Sequence, residues 1–419
     1  MYRDIIELGK RFLSFQKEEN ILKKVVRLLM VALVAVSLAA CSSKPKTDEG
    51  GGTYDLLLWG SQDDQALLAE LVEDFKAANP DDTYNITLGV VGEPDAQEQV
   101  TGDLEASADV FAFPDDQMHD FLAAGALYEI TLNKDKIIAE NTEGASEAVT
   151  IDGRMYGIPF TADNGYFLYY DANYFTDEEV QSLDTMVAKL EADSKKIYYA
   201  VDNSWYIASF FLGAGGTLDY KDGKQITDFN NETGVKVGEY IAAFVSASAF
   251  LTGEDEVMMA GAADGTVKAA VSGAWKAEEF KEIYGDGYRA TKLPTFNLDG
   301  EEVQLGSFAG HKVYGVNSQT KHPEQAMALA EFLGNEASQA KRFAQRSLGP
   351  SNVKVAESQE VKDNVALNAL AQQAEFAHSQ RDVTGAYWGP AEAFGTELVS
   401  GNTSDIKALL DEMVAQITE

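Results

Sequence analysis

The chain has 419 residues, with 68 acidic against 33 basic side chains and a net charge of −35. That excess of carboxylates excludes nucleic acid, whose phosphates call for a basic face, and a flat seat on anionic lipid. A single cysteine excludes an internal disulfide, and the four histidines, at 119, 311, 322 and 378, show no metal-ligand spacing.

The first element is a leader. Lys23-Lys24-Val25-Val26-Arg27 precedes the apolar run Leu28–Ala40, which exits through Leu38-Ala39-Ala40-Cys41. That is the basic, apolar and small-residue order of a secretory signal. The run is 13 residues, against the roughly 20 needed to span a bilayer, so residues 1–40 read as a signal peptide. Met1–Asn20 add nothing that such a signal needs, and Leu22-Lys23-Lys24 looks like a start at a leucine codon, so residues 1–21 read as a misplaced start. A lone cysteine at the cut resembles the lipobox of bacterial lipoproteins, which implies acylation of Cys41. Residues 41–53, rich in Ser, Lys, Pro and Gly, cannot bury a core and read as a flexible tether. Removing residues 1–40 leaves a net charge of about −38, read as a solvated surface.

Beyond the tether the length exceeds that of one core, so two domains are expected. Tyr54–Trp59 reads as a strand. Ala66–Asn79 is a helix with Leu67, Leu68, Leu71, Val72 and Phe75 on one face and Pro80 after its end. Asn85–Val91 and Ala108–Phe113 are strands, and Asp116–Ala124 a helix closed by Gly125. This β-α-β order predicts an α/β fold with parallel sheets and helices on both faces. Ligands bind such sheets at the carboxyl ends of the strands, where Trp59 and Phe113 fall. Further on, Val235–Ala247 reads as a helix, Val267–Val271 as a strand, His322-Pro323-Glu324 as the opening of a helix through Phe332, and Thr403–Thr418 as a terminal helix.

No nucleophile elbow, phosphate loop, zinc helix or dinucleotide fingerprint appears, so no catalytic residue, metal or cofactor is assigned. Carboxylate pairs are too common in so acidic a chain to single out a glycosidase pair. The four tryptophans, Trp59, Trp205, Trp275 and Trp388, each sit beside small or polar residues. A pyranose has an apolar C–H face that stacks on an aromatic ring and a rim of hydroxyls that short polar side chains can hydrogen-bond. Aromatic plates with carboxylates therefore suit a neutral sugar.

Several segments carry a family resemblance. They are Leu56–Trp59, Ser107–Phe113, Leu122–Ile130, Asp152–Pro159, Ser272–Ala277, Leu293-Pro294-Thr295 and Thr384–Trp388. In order and spacing they resemble the maltose/maltodextrin-binding branch of the family 1 extracellular solute-binding proteins. The resemblance implies a two-lobed periplasmic-binding-protein-like fold, each lobe a mainly parallel sheet, with three hinge crossings. One lobe would be 54–161 plus 312–360, and the other 165–309 plus 365–419. It implies a monomeric binding protein, not an enzyme, that closes on malto-oligosaccharide and delivers it to the permease subunits of an ABC importer. Membrane contact would be through the lipid anchor alone, on the outer face of a Gram-positive cell.

Position by position, the resemblance assigns sugar contacts to Asp63, Phe113, Asp116, Asp163, Trp205, Trp275 and Trp388, with Tyr206 as a substitute beside one of them. Ser61, Gln62, Asp64, Gln117, Asn203 and Trp59 are weaker assignments. Asp64 and Gln117 stand where the best-known maltose binder has basic residues, Asn203 replaces a glutamate and Gly389 a tyrosine. Those departures leave room for another oligosaccharide, such as a β-glucan, a xylo-oligosaccharide or mixed sugars. A secreted glycoside hydrolase and a receptor for anions or metal complexes are the remaining alternatives.

Overall fold

Two apolar strands set the architecture because each is buried along its whole length. Val110–Pro114 (VFAFP) and Phe167–Asp171 (FLYYD) show no exposed position, the pattern of a central strand covered on both faces. A computed structural model describes residues 51–221 and 223–418. The signal peptide, Cys41 and most of the tether lie outside the described residues.

In the first sheet, Thr53–Gly60 pairs in parallel with Thr83–Val90 and with Val110–Pro114. Lys312–Val316 runs antiparallel to Val110–Pro114, and Ile158–Thr161 lies along its other edge. The second sheet repeats this plan in the order Phe250–Leu251, Lys196–Tyr198, Val267–Ser272, Phe167–Asp171, Tyr288–Thr291. There Phe167–Asp171 is the reversed strand. Each sheet thus has one strand against four, so the expected mainly parallel sheets are what form.

Side-chain alternation distributes the second lobe's core. Leu168, Tyr170, Ile197, Ala269 and Val271 face one apolar cluster, with the helices Ser204–Gly213, Glu232–Ser246, Gly385–Val399 and Ile406–Thr418. Phe167, Tyr169, Tyr198 and Ala270 face another, with the helices Ala277–Tyr284 and Val365–Gln373. The first lobe has its own cluster, in which Leu67, Leu71 and Phe75 of the helix Gln65–Ala78 join Leu329 and Leu333 of Pro323–Leu333. Among the described residues no helix is long and apolar enough to cross a membrane.

The chain passes between the sheets three times, and the crossings lie side by side. Ala162 N–H donates to Gly349 O (2.9 Å) and Asn164 N–H to Gly310 O (3.2 Å). Asp163 accepts from Gly349 N–H (2.6 Å). The second crossing is extended by the parallel pair Ser307–Ala309 and Ala377–Ser379, after which Gln380 N–H donates to Ala309 O (3.0 Å).

Candidate functional site

Three aromatic side chains converge because two helices begin beside each other. Asn203 caps the helix Ser204–Gly213 by accepting from Trp205 N–H (2.9 Å), which fixes Trp205 and Tyr206 in its first turn. Trp275 sits in the short turn between the strand Val267–Ser272 and the helix Ala277–Tyr284. Its ring lies over Gly273, where a Cβ would stand 2.0 Å from the indole. The Trp205 and Trp275 rings are 5.9 Å apart and tilted by 38°. Tyr206 meets Trp205 edge-on at 5.1 Å. Tyr166 packs against both Trp205 (4.6 Å) and Tyr206 (5.0 Å), and its hydroxyl donates to Trp205 O (2.9 Å).

Polar groups of the first lobe close on this cluster. The Trp205 indole N–H donates to Gln380 Oε1 (2.9 Å). Gln380 Nε2 donates to Asp115 Oδ1 (2.9 Å) and Asp116 Oδ1 (3.1 Å), and His311 Nδ1 pairs with Asp115 Oδ2 (3.0 Å). Lys312 Nζ lies 5.6 Å from the centre of the Trp275 ring, within cation–π range. Around this core, Gly385 N–H donates to Asp120 (3.3 Å) and His119 pairs with Asp382 (3.1 Å). The segment 380–385 is thereby laced onto 115–120. Burial, and then the neighbouring Asp115 carboxylate, raises the Asp116 pKa well above its ordinary value.

Trp388, half-buried at the start of the helix Gly385–Val399, meets Phe308 (5.7 Å) and Tyr387 (5.0 Å) edge-on. The Tyr387 hydroxyl donates to Ser204 O (3.1 Å), which holds the two helix starts together. Trp205, Tyr206 and Trp275 therefore form one contact group, with Trp388 joined to it through Tyr387.

Other expected contacts are committed elsewhere. Phe113 is fully buried and packs on Phe111 (5.7 Å) and Phe121 (4.7 Å), so it is first-lobe core and not an open plate. Trp59 lies on Gly89 of the neighbouring strand, where a Cβ would come within 2.5 Å of its ring, and packs against the same core. Asp64 is buried against Arg342, whose other arm donates to Tyr314 Oη (2.7 Å). Gln117 is buried and donates to the Glu93 (3.2 Å) and Pro94 (2.8 Å) carbonyls. Asn203 is the helix cap described above.

Asp163 is 2% exposed and ties the first crossing to the third. Burial raises its pKa, against the opposing pull of Lys312. Asp63 and Gln62 are exposed and Ser61 half-buried at the start of the first-lobe helix, where Asp63 lies 3.4 Å from Arg346. Among the described residues none of these three hydrogen-bonds to the aromatic group. Sequence reasoning missed Gln380, Lys312, Asp115, His311 and Tyr166. Only Asp115, beside an assigned aspartate at a strand's carboxyl end, carried a readable signal.

The arrangement offers flat aromatic surfaces, carboxylates and a carboxamide. It can stack the apolar face of a ring and bind its hydroxyls. No group of three or more potential metal ligands occurs among the described residues.

A family model for bacterial extracellular solute-binding proteins matches residues 70–369. A galactooligosaccharide-binding protein of Bacillus subtilis is 26% identical, over 93% of this chain and 95% of its own. A maltodextrin-binding protein of the same organism is 24% identical, over 92% and 94%. A protein solved with acarbose is 30% identical, with a TM-score of 0.82 over 88% of this chain and 99% of its own.

Proposed function

We propose that this chain, which belongs to the bacterial extracellular solute-binding protein family, captures oligosaccharides in the cleft between its lobes for uptake by an ABC importer. Malto-oligosaccharide is the favoured cargo. Carrying the proposal is the Trp205–Tyr206–Trp275 group, closed over by first-lobe polar groups through Gln380. An oligosaccharide laid on these rings would touch both lobes, and only contacts made on both sides let a ligand favour closure. The maltodextrin-binding relative and the acarbose-bound structure support an α-linked sugar, since acarbose is itself an α-linked pseudo-oligosaccharide. A second reading, galacto-oligosaccharide, is favoured by the relative of that name at 26% identity.

Lipid attachment at Cys41 would keep the protein at the outer face of the membrane. A Cys41→Ser variant should then leave the membrane fraction and appear in the medium. The sugar is tested by calorimetry with maltotriose, a longer maltodextrin and a β-galacto-oligosaccharide. Heat from the α-glucans alone supports the favoured cargo, and heat from the galacto-oligosaccharide alone replaces it. Silence across all three overturns both.

A further inference from the structure

Gln380 is 1% exposed, yet every polar atom of its side chain is used between two lobes. Its oxygen accepts from the Trp205 indole of the second lobe (2.9 Å). Its nitrogen donates to Asp115 (2.9 Å) and Asp116 (3.1 Å) of the first. Its backbone N–H is fixed to Ala309 O (3.0 Å). The carboxamide passes over Gly310 of the second crossing, where a Cβ would stand 2.5 Å from Gln380 Cδ and 2.6 Å from Asp115 Oδ1. The bridge therefore runs across the hinge itself, through a gap that only glycine leaves open.

We propose that Gln380 is a positioning residue that couples the orientation of the Trp205 ring to the approach of the two lobes. A carboxamide suits this role because one neutral planar unit carries an acceptor and two N–H donors, where a neutral imidazole or carboxyl group carries a single donor. It accepts from an indole, which only donates, and donates to carboxylates, which accept. Glutamate would keep the acceptor but set another carboxylate against Asp115 and Asp116, with Asp120 beside them and with His311 and the Arg381 guanidinium as the basic groups facing Asp115. Leucine would keep much of the bulk and lose both arms. The inference deepens the proposed function, because it takes Trp205 as part of the ligand plate.

The test has a part that needs no sugar. Four tryptophans give four indole N–H resonances, and Trp205→Phe identifies its own. In Gln380→Leu the Trp205 resonance should move and exchange faster with solvent while Trp59 stays in place, and small-angle scattering should show a more open average. Oligosaccharide affinity should fall about tenfold or more, the scale of lost hydrogen bonds to charged groups. In Gln380→Glu, affinity should be weak at pH 7 and recover as acid protonates the introduced carboxyl, whereas Gln380→Leu should show no such recovery. An unmoved Trp205 resonance with unchanged scattering in a folded Gln380→Leu overturns the coupling. If that variant does not fold, Gln380→Met carries the same readouts. A wild-type protein deaf to every oligosaccharide overturns the cargo reading, while the resonance and scattering results still decide the role of Gln380.

Discussion

Replacing Gly273 with alanine should displace the Trp275 ring without truncating it. The backbone at Gly273 is extended (φ −99°, ψ −178°), so alanine meets no conformational penalty there. Its Cβ, however, would stand 2.0 Å from Trp275 Cζ3 and 2.1 Å from Cη2, where ordinary contact begins near 3.4 Å. The ring must withdraw by about 1.4 Å. A radial gap of about 0.5–1 Å already forfeits a quarter to a half of a dispersion well. Aromatic stacking is worth about 0.5–1.5 kcal/mol beyond its burial. Losing most of it, with some misalignment of hydroxyl contacts, gives about 1–2 kcal/mol, or roughly 5–30-fold in affinity. Global stability should change little, because the ring is half-buried and not part of a closed core. Calorimetric titration with maltotriose, alongside a urea melt, measures both quantities. A folded G273A that binds within about twofold of wild type would refute the assignment of Trp275 as a stacking plate.

Two aspartates should titrate with opposite consequences for stability. The Asp116 pKa is raised by burial and then by Asp115. Its protonated form favours the native state, and stability is lost as pH rises from about 4 through the raised value. Asp116→Asn should therefore exceed wild type in stability at pH 7, with the gain shrinking toward pH 4, while binding sugar less well; denaturant melts at the two pH values measure this. The Asp382 pKa is held well below the usual range by His119 and then Arg381. Its contribution is present above about pH 4 and fades as acid protonates it, so Asp382→Asn should destabilise at pH 7 and converge on wild type at low pH. Asp64→Asn would leave Arg342 buried beside a neutral amide, and removing one member of such a pair costs about 3–5 kcal/mol. A urea-melt loss below about 1 kcal/mol would contradict the pairing.

The fold was legible because its information is local. The helix Gln65–Ala78 carries its apolar stripe in sequence, and the run ending in Phe113 reads as a strand. The same run explains a failure. Val110–Pro114 is covered on both faces, so a strand-end aromatic such as Phe113 cannot be told from core by period alone. The small and polar residues around the four tryptophans single them out, but Trp59 shares that context and packs against the first-lobe core, so context alone does not separate a plate from core. Gln380 was not findable, since its partners Trp205 and Asp115 lie 175 and 265 residues away. Asp64 likewise reads as a free loop carboxylate until Arg342, 278 residues on, arrives beside it.

The most direct measurement of the central claim follows the four indole N–H resonances of the protein during titration with maltotriose. The account predicts that Trp205, Trp275 and Trp388 shift together and saturate at one concentration while Trp59, seated on Gly89, holds still. Saturable binding that leaves those three unmoved would contradict it.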